Sequence, residues 1–311
     1  MRLYDKTVSY IWPQYGGLLM YRPGSRFRVC GYLGLISAAA ITITLSIYTG
    51  LSLWTVFWIL LSTIGVFVFH LMFYRFMERA QQLVLYPYLC IVFAIAVIVP
   101  LLRRQSTLSY LDVTAIGFAT FVAVGRVGCF MVGCCHGRPS RFGICYGEQH
   151  VSAAFPAQFL GVRLFPVQLL ESMWLAFIVI IGSYFIWSRH IPGTALTLFI
   201  AAYCPARFCF EFMRWRPRRS YYLGLSEAQW TSLALMTLLA SLEVLTVLPF
   251  SRWHIFIAIG LIILTVLFVL WNYWQRLKHP QQDFDSGEEV KFAVELSDLC
   301  NEKKSYQSFR I

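Results

Sequence analysis

Eight times between Val29 and Trp274 the chain returns to an apolar run of about twenty residues, the length a helix needs to cross a bilayer. That recurrence leaves few folds open. Inside hydrocarbon every backbone N–H and C=O must be paired within the protein, which only helices and closed barrels achieve. The runs cover roughly 29–49, 52–73, 83–102, 110–135, 166–187, 193–213, 228–248 and 254–274, too long and too continuous for barrel strands. Charged residues make up 13% of the chain, against about 25% in a soluble domain. The sequence therefore predicts an all-α, polytopic membrane helix bundle with seven to eight transmembrane helices. Its weakest division is Tyr48-Thr49-Gly50, between the first two runs. Trp54, Trp58, Trp187, Trp215, Trp230, Trp271 and Trp274 fall where the runs meet polar sequence, as interfacial aromatics do.

Residues 136–165 form the longest internal loop and are expected to make a small polar head. Residues 1–274 read as one integral membrane domain. Residues 275–311 read as a polar, mixed-charge tail, expected to be disordered or a short exposed helix. The first long apolar run begins only near Val29, so no cleavable signal peptide is expected.

The formal charge is +11, and arginine outnumbers lysine by 21 to 5. A guanidinium fork suits bidentate contact with phosphate or carboxylate better than a point charge does. These arginines lie beside apolar spans and form no single soluble basic face, so no nucleic acid is expected as a partner. Most of the Lys and Arg fall on one side of an eight-span topology, which the positive-inside rule assigns to the cytoplasm.

The run Gly125-Arg126-Val127-Gly128-Cys129-Phe130-Met131-Val132-Gly133-Cys134-Cys135-His136-Gly137-Arg138 closes the fourth span. An arginine at membrane depth costs at least about 2.5–3.5 kcal/mol, so it needs a partner or a job. Glycines at 125, 128, 133 and 137 leave bare backbone that another helix or a ligand can approach. Two readings stay open: a seat for an anion such as a lipid phosphate, or a packing motif whose arginine snorkels to the interface.

Tyr203, Arg207, Glu211 and Arg214 fall at i, i+4, i+8 and i+11, one face of a helix. Glu211 can pair with Arg207 and with Arg214. The stripe is either a structural ion-pair ladder or one wall of a polar cavity. Gln168 and Glu171 lie one turn apart just after Pro166, a normal helix start. Glu171 is a candidate partner for Arg126 or a proton carrier. Cys129, Cys134, Cys135, His136 and Cys145 do not match zinc-knuckle spacing, and Val132 breaks a haem-attachment pattern, so no metal is expected. Cys30, Cys90, Cys204 and Cys209 lie inside apolar spans and read as small hydrophobes.

In this order the motifs resemble the bacterial prolipoprotein diacylglyceryl transferase family. Its G-R-x-G-N-F-x-N-G-x-x-x-G-R run is matched by Gly125, Arg126, Gly128, Phe130, Gly133, Gly137 and Arg138. Its P-x-Q-L-x-E is matched by Pro166, Gln168, Leu169 and Glu171, and its Y-x-x-x-R-F-x-x-E-F-x-R by Tyr203, Arg207, Phe208, Glu211, Phe212 and Arg214. A later S-x-x-Q is echoed by Ser226 and Gln229. The resemblance spans roughly residues 80–248. It implies transfer of a diacylglyceryl group from phosphatidylglycerol to the lipobox cysteine of a preprolipoprotein, at the bacterial inner membrane and without a cofactor. The residues it implies for catalysis are Arg126, Arg207, Glu171 and Glu211. Those implied for substrate binding are Arg126, Gly128, Cys129, Gly133, Gly137, Arg138, Gln168, Tyr203 and Arg214. Cys129 and Val132 stand where the family has asparagines, and Cys134 where it has glutamate. The family's His-Gly-Gly run has no match; its histidine falls at Tyr86, expected as a catalytic substitute. The alternative is a catalytically inactive phospholipid- or lipoprotein-binding protein on the same scaffold. The family also places the loops after Arg138 and after Arg214 on the exterior face, against the charge count, and the family's orientation is the one expected here.

Overall fold

The computed structural model describes residues 23–76, 85–147, 150, 155–215, 221–249 and 251–278. Eight α-helices account for most of them: α1 Pro23–Thr49, α2 Leu53–Phe76, α3 Leu85–Leu102, α4 Thr107–Val132, α5 Val167–Trp187, α6 Thr194–Met213, α7 Glu227–Val244 and α8 Arg252–Lys278. Gly50 interrupts the first apolar run with φ +73°, so the weak division between α1 and α2 is a real turn. The expected polar tail lies outside the described residues from 279 onward.

The chain forms an all-α membrane helix bundle. Within the described residues Arg26–Thr49, Thr107–Val132, Val167–Trp187, Thr194–Met213 and Arg252–Trp274 are long and apolar enough to cross a membrane, and Leu53–Phe69 and Leu89–Leu102 are shorter apolar stretches. α7 belongs to neither group, although the sequence suggests a span at 228–248. It ends at Val244 and carries Glu227, Glu243 and four hydroxyl residues, Thr231, Ser232, Thr237 and Ser241. The outward faces are apolar, as a lipid-facing surface requires: Phe69, Ile180, Trp187, Leu267 and Trp271 are all exposed.

α4 is the central helix. It packs against α1, α3, α5 and α6, and more than half of its residues are buried. A buried carboxylate in its first turns fixes its relation to α6. Asp112 Oδ2 accepts the N–H of Gly193 at 2.6 Å and its Oδ1 the N–H of Leu196 at 2.8 Å. Gly193 caps α6 but has no side chain, so Asp112 supplies from α4 the oxygen that an N-cap residue normally provides. At the other end, α7 starts in a capping box: Ser226 Oγ accepts from the Gln229 N–H and Gln229 Oε1 from the Ser226 N–H. The Ser226 and Gln229 pair is thereby explained as a helix start.

The segment between α4 and α5 forms the expected head. β1 Pro139–Cys145 pairs antiparallel with β2 Arg163–Leu164, with a bulge between Pro139 and Ile144. A short 3₁₀ turn at Ala157–Phe159 lies between them. Tyr146, Phe155, Phe159, Val162 and Leu164 make a separate small core, with Trp215 packed on it. A second two-stranded ribbon, β3 Tyr221–Tyr222 with β4 Leu225–Ser226, precedes α7.

The head is stitched to the bundle by backbone bonds. Gly137 N–H donates to Phe165 O at 2.9 Å, Arg138 N–H to Met213 O at 3.1 Å, and Trp215 N–H to His136 O at 3.1 Å. Three segments far apart in sequence thus meet at one level: the end of α4, the start of α5 and the end of α6. A Cβ on Gly137 would sit 2.6 Å from Phe165 O and 3.0 Å from Met213 O, so only glycine admits this approach. The loops at 136–165 and after Arg214 therefore share one side of the bundle.

Candidate functional site

The junction just described brings three of the sequence motifs onto one carboxylate. Glu171 lies in the second turn of α5 and is fully buried, as is Gln168 one turn before it. The adjacent Ser172 Oγ donates to Ala123 O of α4 at 2.8 Å, which sets α5 against the stretch of α4 that leads to Arg126. Arg126 Nε then lies 3.0 Å from Glu171 Oε2. Arg207 Nε, from α6, lies 3.7 Å from Glu171 Oε1. Arg214, just past the end of α6, hydrogen-bonds Glu171 Oε2 through Nη2. Tyr203 completes the set, its hydroxyl donating to Glu171 Oε1 at 2.8 Å.

Glu211 is the second anion. Its Oε2 is hydrogen-bonded by Arg207 Nη1 and lies 3.6 Å from Arg214 Nη1. The stripe Tyr203, Arg207, Glu211, Arg214 is therefore an ion-pair ladder, and it is laced to Glu171 as well. Both carboxylates are fully buried, and the side chains of Arg207 and Arg214 are 5% and 3% exposed. Arg126, at 12%, is the least enclosed of the three cations. Three guanidiniums face two carboxylates, so the cluster holds one positive charge beyond its own anions. In a low-dielectric setting that excess favours an anion next to Arg126.

Gln168 serves the same junction differently. Its Nε2 donates to Cys134 O at 2.7 Å, holding the loop that leaves α4. That loop turns at Gly133, whose φ of +79° makes it the left-handed C-cap of α4. Cys129 is buried, Cys134 and Cys135 are partly exposed, and Cys134 Sγ approaches Cys129 O at 3.7 Å. His136 is buried, with Nδ1 2.9 Å from Gly137 O and its ring against Phe155 and Phe159. A carbonyl can only accept, so Nδ1 carries the proton, and burial holds the imidazole below its usual pKa. The Tyr146 hydroxyl donates to Phe130 O at 3.2 Å, and burial pushes its pKa up to about 12.

Arg126, Glu171, Arg207, Glu211, Tyr203 and Arg214 meet as one group, with Gln168 one turn away. The glycines have other duties. A Cβ on Gly128 would lie 2.8 Å from Cys30 Cβ, so this residue makes room for α1 instead of lining a binding surface. On Gly133 it would meet Phe155 and Tyr146 of the head, and Gly137 faces backbone. Arg138 uses its backbone for the head junction and turns its side chain to the exposed surface. Tyr86 stands in the first turn of α3, but its side chain lies outside the described residues.

A sequence profile of prolipoprotein diacylglyceryl transferases matches residues 49–245. Among curated relatives, the phosphatidylglycerol–prolipoprotein diacylglyceryl transferase 2 of Clostridium perfringens is 30% identical over 140 residues, 43% of this chain and 50% of that protein. The phosphatidylglycerol–prolipoprotein diacylglyceryl transferase of Clostridium tetani is 29% identical over 134 residues, 42% of this chain and 51% of its own. A protein of the same name from Dehalococcoides mccartyi is 30% identical over 126 residues, 40% and 46% respectively. The chain spans about half the length of the curated relatives it matches. With the family profile covering well over half of its residues, and with three motifs joined at Glu171, the chain belongs to the prolipoprotein diacylglyceryl transferase family.

Proposed function

We propose that the protein transfers the diacylglyceryl group of phosphatidylglycerol to the lipobox cysteine thiol of a preprolipoprotein, releasing glycerol phosphate, with its head on the exterior face of the bacterial inner membrane. The observation that carries this reading is the buried cluster of Arg126, Arg207 and Arg214 around Glu171 and Glu211, with one positive charge in excess. A phosphodiester brings one negative charge to that cluster. As the glyceryl carbon–oxygen bond breaks, the departing phosphate gains a second, and preorganised guanidiniums favour that state over the bound diester. Glu171 and Glu211 hold the forks in place, and Tyr203 holds Glu171. Arg138, exposed on the head, adds to the positive field that an anionic headgroup meets first.

The test is release of glycerol phosphate and formation of a thioether when purified protein meets phosphatidylglycerol micelles and a labelled lipobox peptide. A second reading rests on a specific observation: Cys129, Val132 and Tyr86 stand where the family has two asparagines and a histidine. On that reading the protein binds phospholipid or lipoprotein without turning it over. Saturable phosphatidylglycerol binding with no product supports it against the transferase.

A further inference from the structure

The head carries an aromatic side chain that it does not use in its own core. Tyr146, Phe155 and Phe159 are 4%, 3% and 1% exposed, whereas Phe142 is 87% exposed. The backbone fixes that position. Pro139 and Ile144 of β1 both pair with Leu164 of β2, so residues 140–143 are looped out of the ladder. Gly143 lets the loop close tightly, since a Cβ there would lie 2.5 Å from Arg163 C and from Leu164 N. Ser140 Oγ accepts the N–H of Phe142 at 3.3 Å, within the loop. Arg141 is exposed beside Phe142, and Arg138 and Arg163 are exposed on the flanking backbone. We infer that the 140–143 loop anchors the head on the protein's own bilayer, with Phe142 seated among lipid headgroups and Arg141 against their phosphates.

Depth favours the bilayer as the occupant. Leu164 stands three residues before Val167, where the membrane-spanning α5 begins, so the root of the loop lies within about 10 Å of the start of that span. The headgroup layer is about 5–7 Å thick on each side of the hydrocarbon, which puts the loop at about headgroup level. An apolar ring and a cation side by side suit that layer. The ring enters the boundary between headgroups and acyl chains, and the guanidinium forks onto phosphate oxygens. A polypeptide partner fits less well, because an extended peptide adds to a sheet along a regular edge. Here the bulge breaks the edge of β1 where Phe142 projects. Charge points the same way, since Arg138, Arg141 and Arg163 together draw the loop toward anionic lipid. The anchor stands apart from the Glu171 cluster and does not depend on the transferase reading.

The test uses the full chain in nanodiscs, with trifluoromethyl-phenylalanine incorporated at position 142 and read by fluorine NMR. One set of discs contains phosphatidylcholine alone. The other adds phosphatidylserine, which supplies anionic charge without supplying phosphatidylglycerol. A lipid spin-labelled at its headgroup should relax the fluorine signal more strongly than a gadolinium chelate in the water does. The effect should be larger in the anionic discs, and Arg141→Gln should reduce it there by about fivefold, the weight of one cation at an anionic surface. The same label at Phe177, exposed near the middle of α5, marks the hydrocarbon and should ignore the chelate. A position-142 signal relaxed by the chelate and indifferent to labelled lipid overturns the inference. A lipid effect equal in both discs and unchanged by Arg141→Gln overturns the part given to Arg141. A signal that answers only to an added lipobox peptide overturns the anchor in favour of a protein partner.

Discussion

Glu171 is one carboxylate shared by three arginines and a tyrosine, so replacing it with glutamine perturbs the whole site without changing its volume. At 3.0 Å and an effective dielectric of about 20, the pair with Arg126 alone amounts to ~5–6 kcal/mol of Coulomb energy. The pair with Arg207 at 3.7 Å adds ~4–5 kcal/mol on the same basis, and Arg214 is in direct contact. Desolvation already offsets much of that attraction in the native protein. The measurable loss on removing one partner of a buried network is therefore about 3–5 kcal/mol, a large part of a typical domain's stability. Glu171→Gln keeps an oxygen for the Tyr203 hydroxyl, so the loss comes from charge and not from the hydrogen bond. The variant also leaves three cations against one anion. Added phosphate or sulfate should then raise its melting temperature more than that of the wild type, because the anion fills the place of the lost carboxylate. Thermal unfolding in micelles, with and without 50 mM sulfate as a trial concentration of roughly physiological-to-high ionic strength, reads both effects. Transfer to a lipobox peptide should fall by at least about 100-fold as the guanidiniums lose their common anchor. Wild-type melting and wild-type transfer in Glu171→Gln would refute the idea that this residue organises the site.

Arg126→Ala and Arg207→Ala should each lower turnover by about 10²–10³-fold, and lysine at either position should restore little, since a point charge does not reproduce a bidentate fork; steady-state transfer kinetics decide this. Gly137→Ala should destabilise the protein by about 1–3 kcal/mol, because the atoms its Cβ would meet at 2.6 and 3.0 Å are backbone carbonyls that cannot swing aside. Its melting temperature should drop even when the arginine cluster is untouched in sequence. Asp112→Asn should weaken the start of α6 by about 1–2 kcal/mol, seen as faster hydrogen exchange at Gly193 and Leu196, the two amides it now accepts.

Periodicity carried much of this architecture. The runs at 110–135, 166–187 and 193–213 appear as Thr107–Val132, Val167–Trp187 and Thr194–Met213, because long apolar segments leave the chain no other way to pair its backbone. The stripe from Tyr203 to Arg214 was legible for a similar reason, since i+4 steps place residues on one helical face in any context. The possible link between Arg126 and Glu171 followed from a charge at membrane depth needing a partner. Other features depend on contacts between distant segments and leave no local trace. Asp112 looks like one more polar residue in an apolar run until Gly193, eighty-one positions later, arrives without a cap of its own. Gly128 and Gly137 read as openings for another helix or a ligand, and Cys30 of α1, Phe165 and Met213 fill them. The aromatic box around His136 was hidden because Phe155 and Phe159 meet it only once the head has folded. The run at 228–248 appears as the helix Glu227–Val244, and Glu243 within the run and Glu227 just before it make that helix less apolar than the other long ones.

The cap on α6 acts as a caliper. α4 and α6 run the same way, and Asp112 joins them near their starts. From Asp112 to Arg126 is fourteen residues, and from Gly193 to Arg207 is fourteen residues, so each arm rises about 21 Å before its arginine meets Glu171. Lengthening one arm by a single residue would turn its arginine by about 100° and lift it about 1.5 Å, off the shared carboxylate. Lengthening both by the same amount would keep the arginines level with each other while rotating both away from α5. Tolerance of length change must therefore lie outside these two intervals, in the turn between α5 and α6 or in the head, and an insertion scan along α4 and α6 would trace the arms residue by residue.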